Sequence, residues 1–268
     1  MKTSRLQKIV KRTSPTRMFV VSFLILIFIG TVLLTLPISA KSGRFTNPVD
    51  ALFTATSATC VTGLSVYDTF IHWSYFGQGV LLVLIQCGGL GLAAFATGLT
   101  LLVRRRIGIR HLVLARESAG GSNLDVISLL RIVVAFTFAV EALGALLLMV
   151  RFVPLYGGLG VWASVFVSVS AFCNAGFDPF GYANSIEEYV ADPVVNLTIM
   201  LLITLGGMGF SVVLDIVRHR RFRALTLHSR VVLIMSGLLF LSGALLIGLV
   251  EWANPLTLGR ADLNPAEK

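Results

Sequence analysis

The chain has 268 residues, 56% hydrophobic and only 13% charged, with a mean hydropathy of +0.86. Soluble domains carry about 25% charged residues, so this composition cannot cover a water-facing surface; secreted, disordered and ordinary cytosolic classes are excluded, and an integral membrane protein remains. The formal net charge of +9 would suit a nucleic-acid binder, but the placement of the charges along the chain points elsewhere and no nucleic-acid partner is expected.

Residues 1–17 are basic and lead into a first apolar run, Met18–Leu36. That run is long enough to span a bilayer and no small-residue cleavage site follows it, so it reads as a retained span and not a signal peptide. A second apolar stretch, Val49–Thr59, is too short to cross and reads as a re-entrant helix. Asn47 is its N-cap, Pro48 suits its first position and Asp50 falls in its first turn. Gly77–Val103 and Ile127–Val150 are the next two spans; Val161–Phe172 is a second short segment. Val194–Val217, opened by Asp192-Pro193, and Val231–Val250 complete five spans. The expected fold is an all-α polytopic membrane protein.

Sixteen of the 22 basic residues fall on one side of these spans: before the first, after the second (Arg104, Arg105, Arg106, Arg110, Arg116) and after the fourth (Arg218, Arg220, Arg221, Arg223, Arg230). The positive-inside rule places this side, and the N-terminus, in the cytoplasm. Both short segments then enter from outside.

The chain also repeats itself. Phe53, Ser57, Ala58, Cys60 and Gly63 recur as Phe166, Ser170, Ala171, Cys173 and Gly176, all at a spacing of 113. Ile85 and Gly88-Gly89-Leu90-Gly91 recur as Ile203 and Gly206-Gly207-Met208-Gly209, at a spacing of 118. Two blocks in the same order indicate duplication. The expected organisation is a basic N-terminus (1–17), a first helix–pore-loop–helix unit (18–106), a second (107–223) and the first helix of a third (224–268).

Each short helix ends inside the membrane in a non-helical segment, which is tolerated there only within protein or beside a water-filled path. The C-terminal end of such a helix favours a cation, and cation filters are built from backbone carbonyls. Cys60, Val61, Thr62 and Gly63, and Cys173, Asn174, Ala175 and Gly176, are therefore candidate filter residues. Cys60 and Cys173 have no ligand neighbours that would make a metal centre, and three cysteines give no disulfide framework. The paired glycine segments, Gly88, Gly89, Gly91 and Gly206, Gly207, Gly209, read as close-packing positions that can also serve as a hinge or gate. Gly89-x-Gly91-x-x-Ala94 lacks the strand and the later acid that a dinucleotide site needs. Arg131 lies near the cytoplasmic end of the third span and can snorkel; Glu141 lies near its middle, where a charge is costly, and is about 15 Å from Arg131 along the axis. Glu141 is either anchored by a hydrogen bond or takes part in ion passage. His72, His111, His219 and His228 lie outside the spans with no nucleophile–base spacing, so no enzyme is expected.

Residues 50–64 followed by Asp68-Thr69, residues 170–178, and the segment Leu84–Gly91 closely resemble the two pore loops and the intervening helix of the Trk/Ktr/HKT potassium transporters, with a short N-terminus similar to KtrB-type subunits. The resemblance implies potassium uptake through a pore of four repeats, with one filter glycine each, here Gly63 and Gly176. K+ is then the transported ion held at the filter, with Na+ or H+ coupling left open and no covalent cofactor. It further implies a homodimer in the cell membrane, bounded by lipid, and a cytosolic nucleotide-binding regulatory ring of RCK/KTN type. The sequence holds about 2.4 repeats of this spacing. Three readings stay open: a partial translocation subunit that does not conduct alone, a dimeric pore with two loops per chain, or a non-conducting partner of a longer transporter.

Overall fold

The computed structural model describes residues 15–91, 126–181, 186 and 189–254. The basic residues before Pro15, residues 92–103 of the second expected span and Arg104–Arg116 lie outside these.

The described residues form helices and no strands. Helix α1 is Pro15–Thr35, α2 Pro48–Cys60, α3 the short Thr69–His72, α4 Tyr75–Gly89, α5 Val126–Tyr156, α6 Gly158–Phe172, α7 Pro193–Gly207, α8 Phe210–His219 and α9 Leu227–Glu251. The predicted helix starts are built as expected. Asn47 Oδ1 accepts the Val49 amide at 3.0 Å ahead of Pro48, and Asp192 Oδ1 accepts those of Val194 and Val195 at 3.0 and 3.3 Å ahead of Pro193. Each cap satisfies amides that the helix cannot bond itself. Within α5 and in α9 lie two stretches, Arg131–Tyr156 and Leu227–Glu251, long and apolar enough to cross a membrane. At 1.5 Å per residue, the 21 residues of α1 also reach about 31 Å.

Two of the expected spans are corrected. Gly77–Val103 does not run on as one helix, because α4 stops at Gly89 and Gly91 turns to φ +72°. Val194–Val217 is broken the same way: α7 ends at Gly207, Gly209 adopts φ +82° and α8 starts at Phe210. Hydropathy is continuous through both breaks; the backbone is not, because a glycine at positive φ cannot stay in a right-handed helix. The third span also runs further than the expected Ile127–Val150, so that Arg151 lies in the last turns of α5.

The helices pack as two like units. In the first, α1, α2 and α4 all contact one another; in the second, α5, α6 and α7 do the same, and α4 meets α6 between them. One apolar core runs through both, from Leu34, Ala55, Leu81 and Ile85 to Phe166, Phe172 and Leu202. Among the described residues, α9 packs on α8 and the rest of its apolar surface is uncovered.

Asp192 joins α7 to α5 through an ion pair with Arg151. Burial pushes its carboxyl up, but the Arg151 guanidinium and the amides of Val195 and Val194 outweigh this and hold it below the usual carboxylate value. A depressed folded value means that the contribution is complete above the unfolded pKa of about 3.9 and is lost as pH falls through the folded value. Asp192→Ala is expected to lower the melting midpoint in detergent at neutral pH, with the lost cap costing about 1 kcal/mol. Melting curves of both forms should converge as pH falls below about 4.

Candidate functional site

Each short helix ends in the same backbone path. Helix α2 stops at Cys60, and Val61 turns left-handed at φ +58° while its amide bonds back to Ser57 O. The Thr62 amide reaches the same carbonyl at 3.0 Å, and Gly63 follows at φ +74°. In the second unit Asn174 is at φ +58°, the Ala175 amide bonds to Ser170 O at 2.7 Å, and Gly176 is at φ +71°. The left-handed turns, the Thr62 and Ala175 amide bonds and the glycines recur at the sequence spacing of 113, while the Asn174 amide bonds to Ala171 O instead. The duplication is therefore a duplication of backbone geometry. Asparagine tolerates the left-handed region; a β-branched valine does not, and strain of this kind costs about 1–3 kcal/mol. The Ser57 and Thr62 hydroxyls, 2.8 Å apart, brace the first loop.

The two loops meet at their glycines. A Cβ placed on Gly63 would lie 2.8 Å from Ala175 O and 3.4 Å from Gly176 Cα. A side chain at Gly63 is thus excluded by both conformation and space. Beside this contact lies a cavity of about 200 Å3, lined by Gly63, Ser65, Asp68, Thr69, Gly176, Phe177, Asp178 and Phe180. Backbone amides hold the two carboxylates at its wall: Asp68 Oδ1 caps α3 by accepting from Phe70 and Ile71 at 2.8 and 2.7 Å, and Asp178 Oδ1 accepts from Phe180 at 3.0 Å. An acid-lined cavity with oxygen donors and no basic wall attracts cations.

The glycine pairs do different jobs from their third members. A Cβ on Gly88 would run into Thr59 O, and one on Gly206 into Phe172 O. Thr59 and Phe172 are again one repeat apart, each near the end of its short helix. A Cβ on Gly89 would run into Cys173 Sγ, whereas one on Gly207 only approaches Asn174 Nδ2 at 3.7 Å. Gly91 and Gly209 meet nothing within 4 Å and instead turn the chain.

Glu141 is buried and accepts from Gln86 Nε2 at 2.9 and 3.2 Å, so the partner of this carboxyl is an amide on α4. Arg131 is exposed on α5 and is not brought to it. Cys60 is exposed and Cys87 and Cys173 are buried, all as free thiols. Among the described residues no three His, Cys, Asp or Glu side chains converge as a metal centre.

One network went unanticipated from the sequence. Tyr67, four residues after Gly63, donates to Asp50 Oδ2 at 2.6 Å and stacks on His72 with centroids 4.0 Å apart. His72 Nε2 lies 3.0 Å from Thr46 Oγ1. These contacts tie the exit of the first loop back to the start of α2. An aromatic residue and a histidine five positions apart are too common for spacing to reveal the pair.

The family model described as TrkH, cation transport protein, matches residues 3–254. The chain is 39% identical over 264 residues to the Ktr system potassium uptake protein B of Bacillus subtilis, covering 96% of this chain and 58% of that protein. It is 40% identical over 247 residues to the protein of the same name from Vibrio alginolyticus (91% and 53%) and 37% identical over 254 residues to the potassium/sodium uptake protein NtpJ of Enterococcus hirae (94% and 56%). The chain thus spans a little over half the length of these curated relatives.

The glycine roles give a direct contrast. Gly88→Ala and Gly206→Ala force a methyl into a backbone carbonyl and are expected to cost about 1–3 kcal/mol. Gly79→Ala, with open space around it, is expected to be neutral or slightly stabilising. Thermal melting of the purified variants in detergent checks the order.

Proposed function

The chain belongs to the TrkH family of cation transport proteins, and from that premise we propose that it is the pore-forming part of a potassium-uptake translocation subunit of Ktr type. The family is one of membrane transporters and not of enzymes. The observation that carries the reading is the pair of matched left-handed loops meeting at Gly63 and Gly176 beside an acid-lined cavity. In this reading the carbonyls of Cys60, Val61, Thr62 and Gly63, with those of Cys173, Asn174, Ala175 and Gly176, replace part of the hydration shell of K+.

Two loops cannot surround an ion. Cys60, Thr62, Leu64, Asn174 and Gly176 are exposed, which is the surface that two further loops would cover, supplied by more of a relative-length chain or by a second copy. Residues 18–106 and 107–223 are assigned as two helix–pore-loop–helix repeats and 224–268 as the opening of a third. Residues 1–17 lie in the cytoplasm by the positive-inside rule. The exposed arginines 218, 220, 221 and 223 at the α8–α9 corner then face the cytosol, where anionic lipid headgroups or a nucleotide-binding regulatory ring would meet them.

The test is rubidium uptake by potassium-uptake-deficient cells that carry the chain with its flanking coding sequence. Uptake is expected to rise above that of the host. Gly63→Asp and Gly176→Asp are expected to abolish it, with membrane levels checked by immunoblot. Unchanged uptake in both variants overturns the filter assignment.

A further inference from the structure

Glu141 is buried and does not line the acid-walled cavity beside Gly63 and Gly176. Its carboxylate faces Gln86 on α4, and its backbone carbonyl accepts from Ser168 Oγ on α6 at 2.7 Å. Ser168 lies five residues before Cys173, where the second loop begins. One turn along α4 from Gln86, Gly89 presses on Cys173 itself. Glu141 thus touches, directly or through one residue, both walls that hold the first residue of the loop.

Both carboxylate oxygens face one amide nitrogen, a group that only donates. Among the described residues no lysine or arginine pairs with it. A buried anion without a cationic partner is costly. A cation held by the loop in front of it would offset that cost through the low-dielectric interior, where charges interact over longer distances than in water. The equivalent place behind the first loop has no such charge: one repeat spacing before Glu141, α1 carries Phe28, flanked by Ile27 and Ile29.

We propose that Glu141 is a positioning and affinity-setting residue of the second loop, whose negative charge, held by Gln86, favours a bound cation at Cys173–Gly176. This rests on the filter reading above.

The experiment is rubidium uptake against external potassium in the same cells and with the same flanking sequence. Glu141→Gln keeps the shape and the hydrogen-bonding capacity but removes the charge. It is expected to raise the half-saturating concentration about three- to tenfold, with membrane level and maximal rate within about twofold of the unmodified chain. Glu141→Asp, which keeps the charge, is expected to stay near the unmodified value. An unchanged half-saturation in Glu141→Gln shows that the residue is only a packing anchor and overturns the proposal. Should that variant fail to reach the membrane, Gln86→Leu serves: without its donor the carboxylate is no longer held as an anion behind the loop, and half-saturation is expected to rise in the same way, a normal value again overturning the proposal. Gly63→Asp separates the two levels. If it transports normally, the filter reading fails; if it is inactive while Glu141→Gln is normal, only the role of Glu141 fails.

Discussion

Two short helices end inside an apolar body, and the structure depends on how those ends are met. The final carbonyls of a helix have no partner within it, and burial without one is costly. Here two devices share the task. The left-handed turns at Val61 and Asn174 fold the following amides back onto Ser57 and Ser170. Gly88 and Gly206 then bring a helix backbone against Thr59 O and Phe172 O, with a glycine hydrogen occupying the place where any other residue would put a carbon. Such Cα–H contacts are weak singly, but here they also set how closely α4 and α7 approach the loops. Moving either glycine outward would move the wall of the candidate site with it.

From this contact the rest of each unit follows. Helix α4 must lie against the end of α2, and α7 against the end of α6, so the triangle of helices is the same in both units. The third glycine of each segment then turns the chain away where the close approach ends. Packing and turning are not competing readings of Gly-Gly-x-Gly. They belong to different positions with separate physical reasons: no room at the first glycine, and a positive φ at the last.

Much of this was legible in the sequence because it rests on patterns that sequence carries. Hydropathy marks apolar runs, Asn47-Pro48 and Asp192-Pro193 mark helix starts, and the 113-residue spacing aligns Gly63 with Gly176. The helix breaks at Gly91 and Gly209 were not legible, because hydropathy does not report φ and the flanking residues stay apolar. Nor was the partner of Glu141. A charge in an apolar span demands a partner, but the demand does not say on which helix it stands, and Gln86 is 55 positions away. Tyr67, Asp50 and His72 meet for a similar reason, through a loop path that the left-handed turns decide.

The duplication is close in backbone and unequal in chemistry. Val61 holds a conformation that costs a β-branched residue energy, while Asn174 occupies the same conformation with little strain. Strain that persists in a folded protein requires surroundings that over-determine it. In the first unit those surroundings are the Ser57–Thr62 hydroxyl pair within the loop, Gly88 against Thr59 and the Val61 side chain, and the Tyr67–Asp50 bond beyond Gly63. The second loop has less to overcome locally and is instead clasped from the other unit, by Gly89 on Cys173 and through Gln86 and Glu141. One loop is therefore braced within its own unit and the other across the junction of the two. The relative placement of Gly63 and Gly176 thus depends on the α4–α6 contact, and a disturbance there would reach the second loop before the first.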